Sequence, residues 1–446
     1  MAPFLSSARC PNLKIWLPFV LVSAISGTAR SAPSGTPGAG SPNAPAAPNA
    51  APLASSASPD AKDDLPPRRF EFLPIPDIRG NSDIGLELGG GFTLVRFYDE
   101  ARPFKWLLGG TLSTSFKDDV NGFRLVQHYD AIRLDVPDLL GGRVRVESRV
   151  NFTRNVIARW SGVGNASSAD GLPPGREGGR QEQFIDEELR FRSVIRVKTG
   201  TPFDAAFTTN LRYEFPSVYR GSKLAYDAAH AGIAGTEPAF LASLGTGFML
   251  DTRDNEFTPH QGVFYQVGVL GTKGSAERVA YGEASAVLSS YIPLGPKMTF
   301  ATRVMASFLF GRAPFYDLQN GGVFNPTHMV GGERGIRGIP EARYAGHIKV
   351  LANYELRTTF IPRFRVLLWK LQVGTTTFID AGRVWNDYDT SAFDGSTPGI
   401  KASVGGGFFF QWDRSNVFRT EIAYSPTERA QSSVPLSYYL AGGLSF

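Results

Sequence analysis

Alternation of apolar and polar residues with a period of two is the feature that most constrains this chain. In the segment 143–152, RVRVESRVNF, three valines and a phenylalanine fall on one face and the charged residues fall on the other. The segment 188–198 repeats this pattern, which is typical of β-strands. In a soluble sandwich the apolar face packs against a second sheet, whereas in a membrane barrel it meets lipid. Periodicity alone leaves both alternatives open.

Strand length and loop asymmetry separate these alternatives. The pattern predicts sixteen strands, at 70–79, 82–97, 104–116, 123–136, 143–155, 184–198, 204–215, 239–251, 262–271, 278–291, 297–311, 345–361, 365–385, 400–411, 416–426 and 437–446. Most run ten residues or longer, enough to cross a bilayer when tilted. Long polar connections follow odd strands, at 156–183, 216–238, 312–344 and 386–399. Compact turns follow even strands, at Val136-Pro137, Thr201-Pro202, Ile292-Pro293 and Ile361-Pro362.

This asymmetry is typical of outer-membrane barrels. We therefore predict an all-β fold, a sixteen-stranded antiparallel transmembrane β-barrel over residues 68–446. An even strand count places both barrel termini at the end with the short turns, which is periplasmic in a Gram-negative-type bacterium. The first strand contains Pro74 and Pro76, and proline is confined to edges or bulges of a sheet, so we expect its pairing with the last strand to be weak.

Two different segments precede the barrel. Residues 1–29 carry a short apolar run after Arg9 and Lys14 and are predicted to be a secretory signal peptide. Residues 30–67 are rich in Pro and Ala and are predicted to be a disordered linker. The single cysteine, Cys10, lies in the signal peptide, so the mature chain is expected to lack disulfides and thiol chemistry.

Composition and motifs argue against several classes of function. The net charge of +5 comes without a dense basic patch, which argues against nucleic-acid binding. The five histidines do not stand at metal-ligand spacing, and no nucleophile elbow or phosphate-binding glycine loop occurs. We therefore expect no enzyme activity, catalytic residue, metal or cofactor.

The stretch 330–346 is too rich in glycine for a helix and too charged for a core strand. Four glycines allow tight turns around its tip, namely Gly331, Gly332, Gly335 and Gly338. Arg337 at this tip needs an acidic partner, because a desolvated arginine is costly unless it is paired. Asp380 and Glu355 both fall on the lumen face of their strands by the period-two rule. The sequence therefore predicts an ion pair inside the barrel.

Several motifs along the chain resemble those of the bacterial surface antigen superfamily, the outer-membrane barrels of BamA/TamA type. They are the tip Ile336 to Ile339, the strands at 353–357 and 378–382, a mid-barrel turn, and the closing strand. The turn contains Asp251, Arg253, Asp254, Pro259 and Gly262. It could also be interpreted as a calcium-like site, but a turn whose Asp and Asn side chains bond local backbone is the favoured interpretation.

The resemblance implies an inward-folded loop whose arginine meets acids of the next two strands. It also implies that a terminal aromatic residue is read during barrel insertion. In the closing strand, one face would carry Tyr438, Leu440, Leu444 and Phe446. Other aromatics are predicted to form the interfacial girdle of the barrel, namely Trp160, Phe408, Phe409, Phe410, Trp412, Tyr438 and Tyr439.

The resemblance further implies help with inserting or translocating proteins or lipids at the outer membrane, through thinning of the bilayer and lateral opening between the first and last strands. Partners would be outer-membrane lipid, nascent outer-membrane proteins and a separate periplasmic protein, because the chain has no room for the periplasmic repeats that precede the barrel in family members. The alternative is a passive pore or structural barrel without assembly activity.

Overall fold

The computed structural model describes residues 70–96, 104–119, 122–167, 181–276, 279–366, 369–388, 399–412, 416–426 and 436–446. The predicted signal peptide and linker lie outside the described residues. Sixteen long strands are numbered here in chain order: β1 Phe70–Asn81, β2 Gly85–Arg96, β3 Trp106–Asp119, β4 Gly122–Leu139, β5 Val144–Arg159, β6 Gln183–Lys198, β7 Asp204–Glu214, β8 Ala239–Asp251, β9 Gly262–Gly274, β10 Ala280–Gly295, β11 Met298–Arg312, β12 Ile348–Val366, β13 Trp369–Trp385, β14 Lys401–Trp412, β15 Asn416–Tyr424 and β16 Leu436–Gly442.

Each strand pairs antiparallel with its neighbour in the chain, and β1 pairs antiparallel with β16. The sheet therefore closes, and the prediction of a sixteen-stranded antiparallel barrel is confirmed. Apolar side chains such as Leu244, Ile379 and Ile422 are exposed on the outer face, as the lipid-facing surface of such a barrel requires. Among the described residues, no helix is both long enough and apolar enough to cross a bilayer.

The predicted turns at three prolines were placed too early. Pro137, Pro293 and Pro362 lie within the ends of β4, β10 and β12, which continue to Leu139, Gly295 and Val366. Each lies at a shift in the register with a neighbouring strand. Proline lacks the N–H that the ladder needs, and the irregularity allows the strand to continue past it.

The connection between β7 and β8 contains a helix that the sequence analysis did not predict. This helix, α1, spans Lys223–His230, and the side chain of Ser222 accepts a hydrogen bond from the backbone N–H of Ala225. Just before it, the two-residue strand Ser217–Val218 pairs with β6. The long connections on this side of the barrel thus have structure of their own.

The connection between β11 and β12, residues 313–347, is the β11–β12 loop, and it packs against the inner face of the strands. Near its start, Phe315 packs edge-on against Trp160 and Phe184. Trp160 is fully buried and donates to Asp227 of α1 across 2.9 Å. The prediction of Trp160 as a girdle residue is therefore wrong, because its indole N–H finds a carboxylate inside the protein rather than the membrane interface.

A second contact ties the loop to β7 and β10. Arg212 of β7 donates to both carboxylate oxygens of Asp317 across 2.9 and 2.6 Å. Tyr281 of β10 donates its hydroxyl to the same carboxylate across 2.6 Å. Gln319 donates to the carbonyls of Arg159 and Ala342. The first part of the loop is therefore bound by groups of β5, β7 and β10.

The contact between β1 and β16, called here the seam, is short. Within the described residues, these strands are in register only at Gly80 with Leu440 and at Asn81 with Tyr439. Extending that register would set Leu444 and Phe446 opposite Pro76 and Pro74, which have no N–H to donate. Pairing of β1 with β16 stops at Gly80, before the prolines are reached.

The last four residues leave the strand, so the predicted strand end at Phe446 is wrong. β16 ends at Gly442, and Gly443 adopts a φ of +81°, a conformation that glycine favours. The backbone carbonyl of Phe446 accepts from Arg357 across 2.9 Å, and its ring lies against Arg303. Phe446 therefore does not share the outer face of Tyr438.

Two girdle assignments also change. Tyr439 is buried and faces inward, and Phe409 is buried on the inner side of β14. Phe408, Phe410 and Tyr438 are exposed on the outer face, where a girdle residue belongs. Period two explains this, because neighbouring residues of a strand point to opposite faces, so aromatic residues that are consecutive in the chain cannot all face lipid.

Candidate functional site

Glycines shape the tip of the β11–β12 loop for two different reasons. Gly331, Gly332 and Gly338 adopt positive φ angles of +130°, +84° and +89°, which side-chain-bearing residues rarely adopt. Gly335 is needed for space, because a Cβ there would lie 2.5 Å from the carbonyl oxygens of Gly331 and His328. The tip therefore folds back on itself and presents Arg337.

Arg337 meets three carboxylates and is fully buried. Its Nε and Nη2 donate to the two oxygens of Asp380 across 2.8 and 3.0 Å, and its backbone N–H donates to Asp380 across 3.1 Å. Its Nη1 donates to Glu355 across 2.8 Å and to Glu421 across 3.2 Å. Burial alone would lower the pKa of Arg337, but these carboxylates hold it well above its ordinary value.

Glu421 was missed by the sequence analysis. It lies on β15, 84 residues from Arg337 in the chain, and β15 carries no motif that singles it out. Alternation would have placed Glu421 and Arg419 on the inner face together, because they stand two residues apart. Alternation therefore identifies the face on which Glu421 lies, but it does not identify Arg337 as its partner.

Further arginines balance the charge around the tip. Arg357 donates to Glu355 across 2.7 Å, and Arg419 donates to Glu421 across 3.0 Å and to Glu333 of the loop across 2.7 Å. Buried charges are tolerated when each has a partner of opposite sign and its hydrogen bonds are made. We call this set the Arg337 network: Arg337, Asp380, Glu355, Glu421, Arg357, Arg419 and Glu333.

An amide connects the network to the neighbouring strand. Asn353 donates to Asp380 and to the carbonyl of Gly335, both across 2.9 Å. Its side-chain oxygen accepts from Arg303 across 2.8 Å, and Arg303 also donates to the carbonyl of Arg334. The side chains on β11 and β12 therefore bind the loop backbone as well as its charges.

The tip also contacts the closing strand. The backbone N–H of Gly338 donates to the hydroxyl of Tyr439 on β16 across 2.8 Å. The Arg337 network reaches the chain end through Arg357, which bonds both Glu355 and Phe446. The loop tip and the seam strand are thus joined by hydrogen bonds.

The guanidinium of Arg337 packs on the ring of Phe378. The Cζ of Arg337 lies 3.3 Å from the ring centroid of Phe378, where a cation is attracted by the π face. Phe378 in turn lies over Gly405 of β14, where an added Cβ would come within 2.4 Å of the ring. Because Gly405 has no side chain, β14 leaves room for the ring of Phe378.

The family turn lies at the opposite end of the barrel. Asp254 accepts from the backbone N–H groups of His260 and Gln261, and Asn255 accepts from those of Phe257 and Thr258. Asp251 accepts from Arg253 across 2.7 Å. Gly262 adopts a φ of +113°, and Pro259 precedes it within the turn. In the part of the chain that the structure describes, no group of three or more His, Cys, Asp or Glu residues could hold a metal ion.

Comparisons with known proteins agree with this architecture. The Omp85 superfamily domain matches residues 137–427. The fold resembles BamA from Haemophilus ducreyi lacking POTRA domains 1–3, with 14% identity, a TM-score of 0.52, and coverage of 84% of this chain and 70% of that one. It also resembles CdiB from Escherichia coli, with 13% identity, a TM-score of 0.51, and coverage of 85% and 64%. No curated protein matches the chain by sequence.

Proposed function

Because this chain belongs to the Omp85 superfamily, we propose that it assists the insertion or translocation of proteins or lipids at the outer membrane. The observation that carries this proposal is the link between loop and seam. Gly338 of the loop tip binds Tyr439 of β16, and β16 meets β1 through a short register. Such a link would let the loop act on the closing strand, as lateral opening requires.

In the proposed mechanism, β1 and β16 separate while the Arg337 network holds the rest of the loop. Few backbone hydrogen bonds must break at the seam, because pairing stops at Gly80 and Leu440. Below that point, β1 offers backbone groups and apolar outer side chains such as Phe72 and Ile78. An unpaired strand edge is a template for an incoming strand.

We propose three kinds of partner. Outer-membrane lipid contacts the apolar outer face, nascent outer-membrane proteins meet the open edge of β1, and a separate periplasmic protein delivers them. Both barrel termini are proposed to lie in the periplasm, at the end with the short turns. These assignments rest on the strand count and on the superfamily, and each can be tested separately.

Depletion of the protein in its native cell, with the levels of other outer-membrane proteins and lipids as the readout, tests the proposal directly. A fall in folded outer-membrane proteins or in surface lipid is expected. Unchanged levels of both would favour a passive pore or structural barrel. Complementation with Arg337→Ala then asks whether the loop is required.

A disulfide across the seam tests the opening step. Ser82 and Tyr438 are neighbours there, since the N–H of Ser82 donates to the carbonyl of Tyr438 across 3.2 Å. The double variant Ser82→Cys/Tyr438→Cys should form a disulfide that abolishes complementation until it is reduced. The matched control is Ile422→Cys/Tyr438→Cys, which joins β15 to β16 at a registered pair and leaves the seam free. Equal activity of the oxidised seam variant and this control would contradict lateral opening.

A further inference from the structure

A row of arginines crosses the inner wall of the barrel away from the Arg337 network. Arg133 of β4 is in register with Arg149 of β5, and Arg149 is in register with Arg192 of β6. Directly opposed residues on neighbouring strands lie close together, and like charges in such pairs repel. The repulsion within this row destabilises the fold unless a negative charge compensates it.

The nearby carboxylates are engaged elsewhere. Arg133 has Asp135 at 3.2 Å. Glu147, beside Arg149 on the same face, lies 3.0 Å from Arg145 and 3.9 Å from Arg133. Glu188, the next acid on β6, pairs with Arg190.

Two members of the row are left without an acid. Among the described residues, no carboxylate forms an ion pair within 4.0 Å of Arg149 or Arg192. Arg149 instead lies over the ring of Tyr129, 5.6 Å from its centroid. Its Nε is enclosed and has no hydrogen-bond partner in the structure.

The β11–β12 loop adds a third positive charge. The charges that act most strongly on Arg149 are all positive and come from Arg334, Arg79 and Arg190. Arg79 is engaged by Asp77 and Glu87, whereas the Arg334 side chain is exposed. The acid next to Arg334, Glu333, is held by Arg419 at 2.7 Å. Arg334 therefore adds positive charge around Arg149, and its own side chain is exposed.

We propose that Arg149, Arg192 and Arg334, called here the Arg149 cluster, bind a phosphate group inside the barrel. Guanidinium groups recognise phosphate through paired, charge-assisted hydrogen bonds. A phosphate carries more than one negative charge, which suits three cations better than a single carboxylate does. The phosphate can be free, or it can belong to a lipid headgroup, which carries one negative charge as a phosphodiester and also has non-bridging oxygens that accept hydrogen bonds.

Phosphate binding at this site does not depend on the proposed function. It can be measured on the purified barrel alone. Isothermal titration of the full chain in a zwitterionic detergent with inorganic pyrophosphate should show binding that weakens as salt is added. Arg149→Gln, Arg192→Gln and Arg334→Gln should each weaken it about tenfold or more. Arg154→Gln is the matched control, because Arg154 lies on the same strand and pairs with Glu187 at 3.1 Å.

Thermal unfolding gives a second readout that does not depend on heats of binding. Pyrophosphate should raise the unfolding temperature of the wild type and leave that of Arg149→Gln/Arg192→Gln unchanged. Without ligand, this double variant should unfold at a higher temperature than the wild type, because the repulsion is gone. If it does not fold, Arg334→Gln, which alters the loop and leaves the strands intact, provides the same comparison.

Native mass spectrometry distinguishes the two sources of phosphate. If a lipid supplies it, the wild type should retain more phosphatidylglycerol than the double variant. If free phosphate is the ligand, pyrophosphate should bind and lipid retention should not differ. Lack of binding by both, or binding that the three substitutions leave unchanged, would overturn the proposal. Tighter binding of hexaglutamate than of pyrophosphate would also overturn it and indicate an acidic peptide.

Discussion

Gly338 and Tyr439 are 101 residues apart in the chain, yet the backbone N–H of one donates to the side-chain hydroxyl of the other across 2.8 Å. Both groups are buried. The tip of the β11–β12 loop and the closing strand are therefore joined by a hydrogen bond that is shielded from water.

Removing that hydroxyl should weaken the attachment of the loop tip to β16. In Tyr439→Phe the ring still packs with Phe378 and Ala423, but the N–H of Gly338 is left buried and unpaired, at a cost of about 1–3 kcal/mol. We expect a lower midpoint of heat-modifiable gel mobility. Tyr438→Phe, on the outer face of the same strand, should not change the midpoint. Equal effects of the two substitutions would mean that the hydroxyl has no role in joining the loop to β16.

The Arg337 network should respond asymmetrically to single substitutions. Arg337→Ala leaves three carboxylates together without their shared cation, at a cost of about 3–5 kcal/mol. Asp380→Ala should cost less, because Glu355 and Glu421 still bind Arg337. Protease access to residues 332–344 and urea unfolding in detergent measure both effects. Additive effects in the double variant would indicate that the two side chains do not interact.

A glycine comparison tests the shape of the tip. Gly331→Ala forces a side chain into a φ of +130° and sets its Cβ 2.2 Å from the carbonyl oxygen of Pro340. We expect reduced folded yield and a loop that proteases can reach. Gly271→Ala on β9 is the control, since nothing lies within 4 Å of its Cβ. A folded yield for Gly331→Ala equal to that of the control would show that the tip tolerates another backbone path.

Acid should weaken the contact between Asp317, near the start of the β11–β12 loop, and Arg212. Burial alone would raise the pKa of Asp317, but Arg212 outweighs it and holds that pKa below its ordinary value. A lowered pKa stabilises the fold above the unfolded value of about 3.9 and loses that effect as pH falls through the folded one. Urea unfolding should therefore show wild-type stability falling below about pH 4.

Asp317→Asn should be less stable at neutral pH and should respond less to acid. Asp204→Asn, which removes a partner of Arg196 at the other end of the barrel, is the control for acid effects in general. A wild-type curve parallel to that of Asp317→Asn down to acid pH would place the acid-sensitive group elsewhere.

Strands were predictable from the sequence because their signal is local. Alternation over ten or more residues fixes which side chains face inward, and it placed Asp380 and Glu355 on the lumen side, where both are buried. Contacts across the lumen are different, because they depend on which strands the closed sheet brings together. Nothing near Glu421 in the chain indicates that Arg337 is its partner.

Aromatic residues show the same limit. Trp160 follows β5 at the height where a girdle residue is expected, but Asp227 of a short helix takes its N–H. That helix has eight residues and depends on its Ser222 cap and its packing, so periodicity could not reveal it. Phe446 was misplaced because one glycine, Gly443, ends the alternation three residues before it.

The space above Gly405 implies that the loop can be controlled from a position that carries no charge. Phe378 lies where a methyl group on β14 would be, and Arg337 rests on its ring. A random mutational screen for barrels with an accessible loop should therefore recover substitutions at Gly405 beside those at Arg337. The positions recovered would include residues that support the loop by packing as well as residues that bind it by charge. Substituting charged residues alone would miss the packing of Arg337 on Phe378 and of Phe378 against Gly405.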